Sequence, residues 1–104
     1  MSSPSKTTQL KLVTIIGPRR LEPGLLALLT SLAVAGYTMT QARGFGQHGE
    51  SRFGFVDGGN VRVEVLLKAD PARALLQAVA ARFSGLPVIA FLLDAEAIPA
   101  DHFG

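Results

Sequence analysis

Two segments of this chain are apolar on both of the faces a strand presents. "VTII" at 13–16 and "VIAFLL" at 88–93 are apolar at every position or nearly so. Neither face of such a strand suits water, so both want cover. "NVRVEVLLK" at 60–68 is different. Val61, Val63, Val65 and Leu67 share one face, the period-two pattern of a half-buried strand. What can cover the sheet depends on how many helices the chain supplies.

It supplies two. "LKLVTII" (10–16) is strand-like and closes at Gly17-Pro18. Leu21, Leu25, Leu28, Leu29, Leu32 and Ala35 then recur at helical spacing, with Pro23 in the first turn and Gly36 as a terminator. "YTMTQAR" (37–43) alternates as a second strand, and 60–68 is the third. Asp70-Pro71 reads as a cap and first helical position for a second helix. Ala72, Leu75, Leu76, Val79 and Phe83 form its apolar stripe, and Gly85 stops it. A fourth strand opens "PVIAFLLDAEAI" at 87–98. The order β-α-β-loop-β-α-β predicts a ferredoxin-like α+β domain, βαββαβ, with a four-stranded antiparallel sheet and both helices on one face. The other sheet face then lacks cover within one chain. A contiguous apolar sheet face is not a normal monomer surface, so the chain is expected to associate with copies of itself.

At 104 residues the chain is one domain with room for a single two-layer core. Ten basic against eight acidic residues leave a net charge of only +2, and the basic residues are scattered. That gives nucleic-acid binding no footprint. There is no cysteine, which excludes disulfides, thiolate chemistry and the usual structural zinc sites. His48 and His102 are too far apart in sequence to suggest a metal site by themselves. The longest apolar run, "GLLALLTSLAVAG" at 24–36, is too short to span a bilayer, and "MSSPSKTTQ" has no apolar signal-peptide core. A cytoplasmic protein is expected. Residues 1–9 are read as a flexible tail, 10–98 as the domain and 99–104 as a C-terminal tail.

Residues 44–59 carry the chemistry. Six of the chain's eleven glycines fall in this stretch, which is long for a connection in a compact domain. Gly44 and Gly46 in "QARGFGQHGE" would let backbone N–H groups approach an anion. A flexible hairpin with glycines at its turns is an equal reading, because the run opens no helix and lacks the Lys-Ser/Thr of a P-loop. Arg43 and Arg52 flank the glycines, and Arg19 and Arg20 end the first strand. Arginines there suit a phosphate, although each taken singly is more often a solvated surface residue. Glu64 falls opposite Val63 and Val65 and wants a partner: an amine, an Arg, a base edge or a neighbouring subunit.

"KLVTIIGPRRL", "GYTMTQARGFG" and "VRVEVLL" after a glycine-containing loop resemble the PII signalling proteins, over roughly Leu10 to Ile98. The specific elements are the run from Thr38 to Gly46 and the V-x-V-E-V pattern at Val61–Val65. The resemblance implies a homotrimer with adenine nucleotides in the clefts between subunits. It places Thr38, Glu64 and Leu66 around the adenine, Ile15 as an apolar wall of the cleft, and Gly44, Phe45, Gly46 and Gln47 along the phosphates. The long loop at 44–59 then touches partner proteins.

The departures from that family narrow the expectation. The loop after Gly46 is shorter than in the nitrogen-regulatory PII proteins and has no tyrosine, since the single Tyr is Tyr37. After the second helix "ARFSGLPV" keeps Gly85 but no lysine of the family's second phosphate loop. The late arginine pair is missing from "AEAIPADHFG". A weaker phosphate grip favours ADP or AMP over ATP and argues against 2-oxoglutarate sensing, with Arg19, Arg20, Arg43 or Arg52 standing in as phosphate ligands. These features are most similar to the carboxysome-associated PII proteins and the regulators of bicarbonate transporters. That branch implies bicarbonate as a second ligand, with Gln47 and His48 as donors, and a transporter or carboxysome component as partner. The expected function is a ligand-gated loop switch rather than catalysis. Two alternatives stand beside it: a ligand-free interaction trimer, and an acylphosphatase-like enzyme, for which "HGES" at 48–51 offers no ordered nucleophile and base.

Overall fold

The computed structural model describes residues 6–43 and 59–99. Its elements are β1 (Thr8–Pro18), a 3-10 turn (Arg19–Leu21), α1 (Glu22–Ser31), β2 (Thr38–Ala42), β3 (Asn60–Leu67), α2 (Ala69–Arg82) and β4 (Ile89–Ala97). The strands form one antiparallel sheet in the order β2-β3-β1-β4. This is the ferredoxin-like arrangement that the element order predicts. β1 begins earlier than the sequence reading has it. Thr8 and Gln9, assigned there to the flexible tail, pair with Ala97 and Glu96 of β4. The polar side chains are no obstacle, because the last strand runs just as far and offers its backbone groups as partners.

The pleat sorts the strands as their periodicity requires. Val61, Val63 and Val65 are buried on the helix side, opposite Gly17, Ile15 and Val13 of β1. Leu25, Leu28 and Leu29 of α1 and Ala72, Leu75, Val79 and Phe83 close that layer into one core. Gly17 leaves room for the Val88 side chain just before β4, since an added Cβ would lie 3.2 Å from Val88 Cγ2. Toward the other end of the sheet, Lys11 and Asp94 make an ion pair between β1 and β4. The hydrogen bond and charge of Lys11 hold the Asp94 carboxyl below its usual pKa.

Both helix boundaries differ from the sequence reading. α1 ends at Ser31, well before Gly36, and Leu32 and Ala35 lie beyond it and are exposed. The terminator is Ala33, at φ 58°. Val34 N–H donates to Leu29 O and Ala33 N–H to Thr30 O, both at 3.0 Å. That is the Schellman closure, in which a left-handed residue satisfies the orphan carbonyls. Val34 then packs on the core, and this contact outweighs the steric preference for glycine at the turn. α2 starts at Ala69 with Lys68 as N-cap, so Asp70 and Pro71 sit inside the first turn. Proline is tolerated throughout that turn because its first N–H groups have no intrahelical acceptor.

A non-glycine residue in the left-handed region is strained by about 1–2 kcal/mol, partly offset by the greater freedom glycine has when unfolded. Ala33→Gly should therefore stabilise the fold by about 0.5 kcal/mol, read as a rise in the urea midpoint at constant slope. A lower midpoint would show that the Ala33 side chain makes a contact worth more than the strain.

Candidate functional site

Away from the helices, the open face of the sheet reads in rows. One row runs Thr38 (β2), Glu64 (β3), Thr14 (β1), Phe91 (β4). The next, nearer the end of β1 and of β2, runs Thr40, Arg62, Ile16, Ile89. On the far side of the first row lie Leu66, Leu12 and Leu93. The face is thus divided. Its β2–β3 half presents Thr38, Thr40, Arg62 and Glu64, whereas its β1–β4 half presents Leu12, Ile16, Ile89, Phe91 and Leu93. Phe91 is 38% exposed and Leu93 56%, so the apolar half is an uncovered patch.

Of the residues singled out in sequence, Thr38 and Glu64 are direct cross-strand neighbours, and Leu66 follows two residues along the same face. Glu64 has its partner within the chain: Arg62 Nη2 donates to Glu64 Oε2 at 3.2 Å. Arg62 is the residue the sequence reading missed. The alternation of "VRVEV" places it on the same face as Glu64, and that was the available signal. Ile15 departs from the expected cleft wall. The pleat turns its side chain to the helix side, where it is fully buried in the core, and Ile16 takes the open face.

The phosphate and anion candidates gather at one end of the sheet so far as they are described. Ala42, Asn60 and Pro18 stand side by side in register, so Arg43, Gly59 and Arg19 form the next layer. Arg19 N–H donates to Gly59 O at 3.1 Å. Arg19, Arg20 and Arg43 are all exposed. Gly85 lies in the turn between α2 and β4 at φ +78°, where it lines a cavity of about 400 Å³ with Phe83 and Ile89. Gly44, Phe45, Gly46, Gln47, His48 and Arg52 lie outside the described residues. A larger cavity of about 480 Å³ sits at the opposite end of the sheet, between Leu10, Leu32, Leu66, Lys68 and Leu75. Its apolar lining, with Lys68 as the one charged group, is less suited to a phosphate than the arginine-bearing end.

A four-stranded antiparallel sheet with two helices on one face and a divided open face on the other defines a ferredoxin-like domain. The chain belongs to the nitrogen regulatory protein P-II family, whose model matches residues 10–101. Among solved structures it is similar to a PII-like signalling protein from Thermus thermophilus, with 29% identity over 95% of this chain and 99% of that one, at a TM-score of 0.77. It also shares its fold with CPII, a nitrogen regulatory PII-like protein from Thiomonas intermedia. The CPII structure bound to ADP and bicarbonate aligns at 22% identity over 90% of this chain and 93% of that one, with a TM-score of 0.75. The structure of CPII bound to ADP, AMP and bicarbonate aligns at 21% identity over 88% of this chain and 96% of that one, with a TM-score of 0.72. No curated protein matches the sequence. Among the described residues no helix is long and apolar enough to cross a membrane.

Gly59 immediately precedes β3 at this end of the sheet. Its φ is +93°, and an added Cβ would lie 3.1 Å from Arg19 Cδ. Gly59→Ala should cost about 1–2 kcal/mol in urea unfolding, because both the backbone and Arg19 must give way. An unchanged midpoint would mean that neither constraint holds in solution.

Proposed function

We propose that this chain is a non-enzymatic PII-like regulator that binds an adenine nucleotide at the β2–β3 edge of its open sheet face. The observation that carries the reading is the adjacency of Thr38, Glu64 and Leu66 on that face, in line with Arg19, Arg43 and Gly59 at the root of the connection. A base over the first group has its phosphates directed at the second. Helix-free strand edges and glycine backbone N–H groups suit such a ligand. ADP and AMP are the preferred nucleotides, and bicarbonate is the second ligand, held by Gln47 and His48 with the backbone of Gly44–Gly46. The CPII structures with ADP, AMP and bicarbonate support the choice. The ligand orders residues 44–59 and so selects a protein partner, a bicarbonate transporter or a carboxysome component, in the cytoplasm.

The reading includes a homotrimer. The apolar half of the open face needs cover that two helices on the other side do not give. The wild-type chain should sediment as a trimer. Leu93→Asp should shift it to monomer with its circular dichroism retained, because Leu93 is more than half exposed and is not part of the buried core. A wild-type monomer, or a trimer indifferent to this change, would remove the apolar face from the assembly.

Calorimetric titration with AMP, ADP and ATP, each with and without bicarbonate, tests the ligand assignment. ADP or AMP should bind more tightly than ATP, and bicarbonate should strengthen the binding, with 2-oxoglutarate producing no heat. Absence of any nucleotide heat would favour the ligand-free interaction trimer.

A further inference from the structure

Arg62, the partner of Glu64, occupies the row between the two groups that define the site. It stands two residues closer to Asn60 than Glu64 does, beside Thr40 on β2 and Ile16 on β1. Two residues along a strand amount to roughly 7 Å. That is about the span of a ribose, from the base it carries to its 5′-phosphate. A nucleotide with its base over Thr38, Glu64 and Leu66 and its chain directed at Arg43 and Arg19 therefore passes its first phosphate over Arg62. The guanidinium is accessible there, with the side chain 47% exposed, and Glu64 is 32% exposed.

We propose, on the nucleotide reading above, that Arg62 is the 5′-phosphate receptor of this site and that it exchanges Glu64 for the phosphate on binding. Arg62 Nη2 donates to Glu64 Oε2 at 3.2 Å. A 5′-phosphate offers the same guanidinium a more highly charged acceptor with matching fork geometry. The exchange is feasible because an exposed ion pair contributes little to stability, so little is lost when it opens. Glu64 keeps acceptor capacity beyond that one contact, and the exocyclic amine of adenine is a donor of the right kind at that row. Base and phosphate are thus met by neighbouring residues of one strand. A nucleoside without its phosphate leaves Arg62 unused, whereas a monophosphate engages it without the arginines at the root of the connection.

The ratio of AMP to adenosine affinity reads this device directly. It should be measured by calorimetry on the full-length wild type and on Arg62→Ala, with circular dichroism as the check on folding. AMP should bind the wild type at least tenfold more tightly than adenosine, and Arg62→Ala should reduce that ratio about tenfold, the scale of one charge-assisted hydrogen bond. Arg62→Gln serves the same comparison should the alanine variant fail to fold. If the ratio survives in the variant, or if the wild type does not prefer AMP, the role of Arg62 as phosphate receptor is overturned while nucleotide binding stands. If the wild type binds neither compound nor any other adenine nucleotide, the ligand assignment itself falls, and the role of Arg62 with it.

Discussion

The pairing of β1 with β3 sets the fate of every residue in the domain. In its register Ile15 faces Val63 and Thr14 faces Glu64. A slip of one residue would carry Glu64 and Arg62 into the core and turn the valines out to the open face. Only β3 has a strong alternation, so β3 fixes the register and β1, apolar on both faces, accepts it. β4 pairs with the other edge of β1 and has almost no preference of its own. The helices follow, since Leu25, Leu29, Leu75 and Val79 have a single valine-lined surface to meet.

The same pairing divides the open face. β2 and β3 carry hydroxyls and an ion pair, whereas β1 and β4 carry Leu12, Ile16, Phe91 and Leu93. A surface of two such halves asks for two kinds of occupant. The apolar half suits a copy of the chain, and the polar half, lying at the β2 edge, stays reachable by a small charged molecule. The connection between β2 and β3 leaves from the polar half, so anything bound there lies beside the segment whose shape it is proposed to control. The single core and the divided open face are in this way consequences of one alternating strand laid beside two that do not alternate.

Much of this could be read in the sequence, for identifiable reasons. The element order and the helix-facing valines follow from period-two and helical spacing, which survive any detail of packing. The ends of the helices did not follow. Ala33 takes a left-handed turn because Val34 gains core contact, a tertiary effect invisible to a rule that looks for glycine. The facing of Ile15 against Ile16 was equally hidden, since in a run of apolar residues neither is marked as inward. Only the partner strand decides. Thr38, Glu64 and Leu66 were legible as a group through a family pattern, and the sheet register then placed them side by side. Arg62 was not, because a lone arginine in a strand reads as a solvated surface residue until the rows of the sheet are laid out.

On the proposed reading, the polar β2–β3 half of the open face holds a nucleotide while the apolar half is buried between copies. The most direct measurement is a crystal structure of the full-length chain grown with ADP and bicarbonate. It should show three subunits with Leu93 and Phe91 turned inward, the adenine against Thr38, Glu64 and Leu66, and the phosphates running past Arg62 toward Arg43. An open sheet face left to solvent, or a nucleotide seated away from Thr38, Glu64 and Arg62, would contradict that reading.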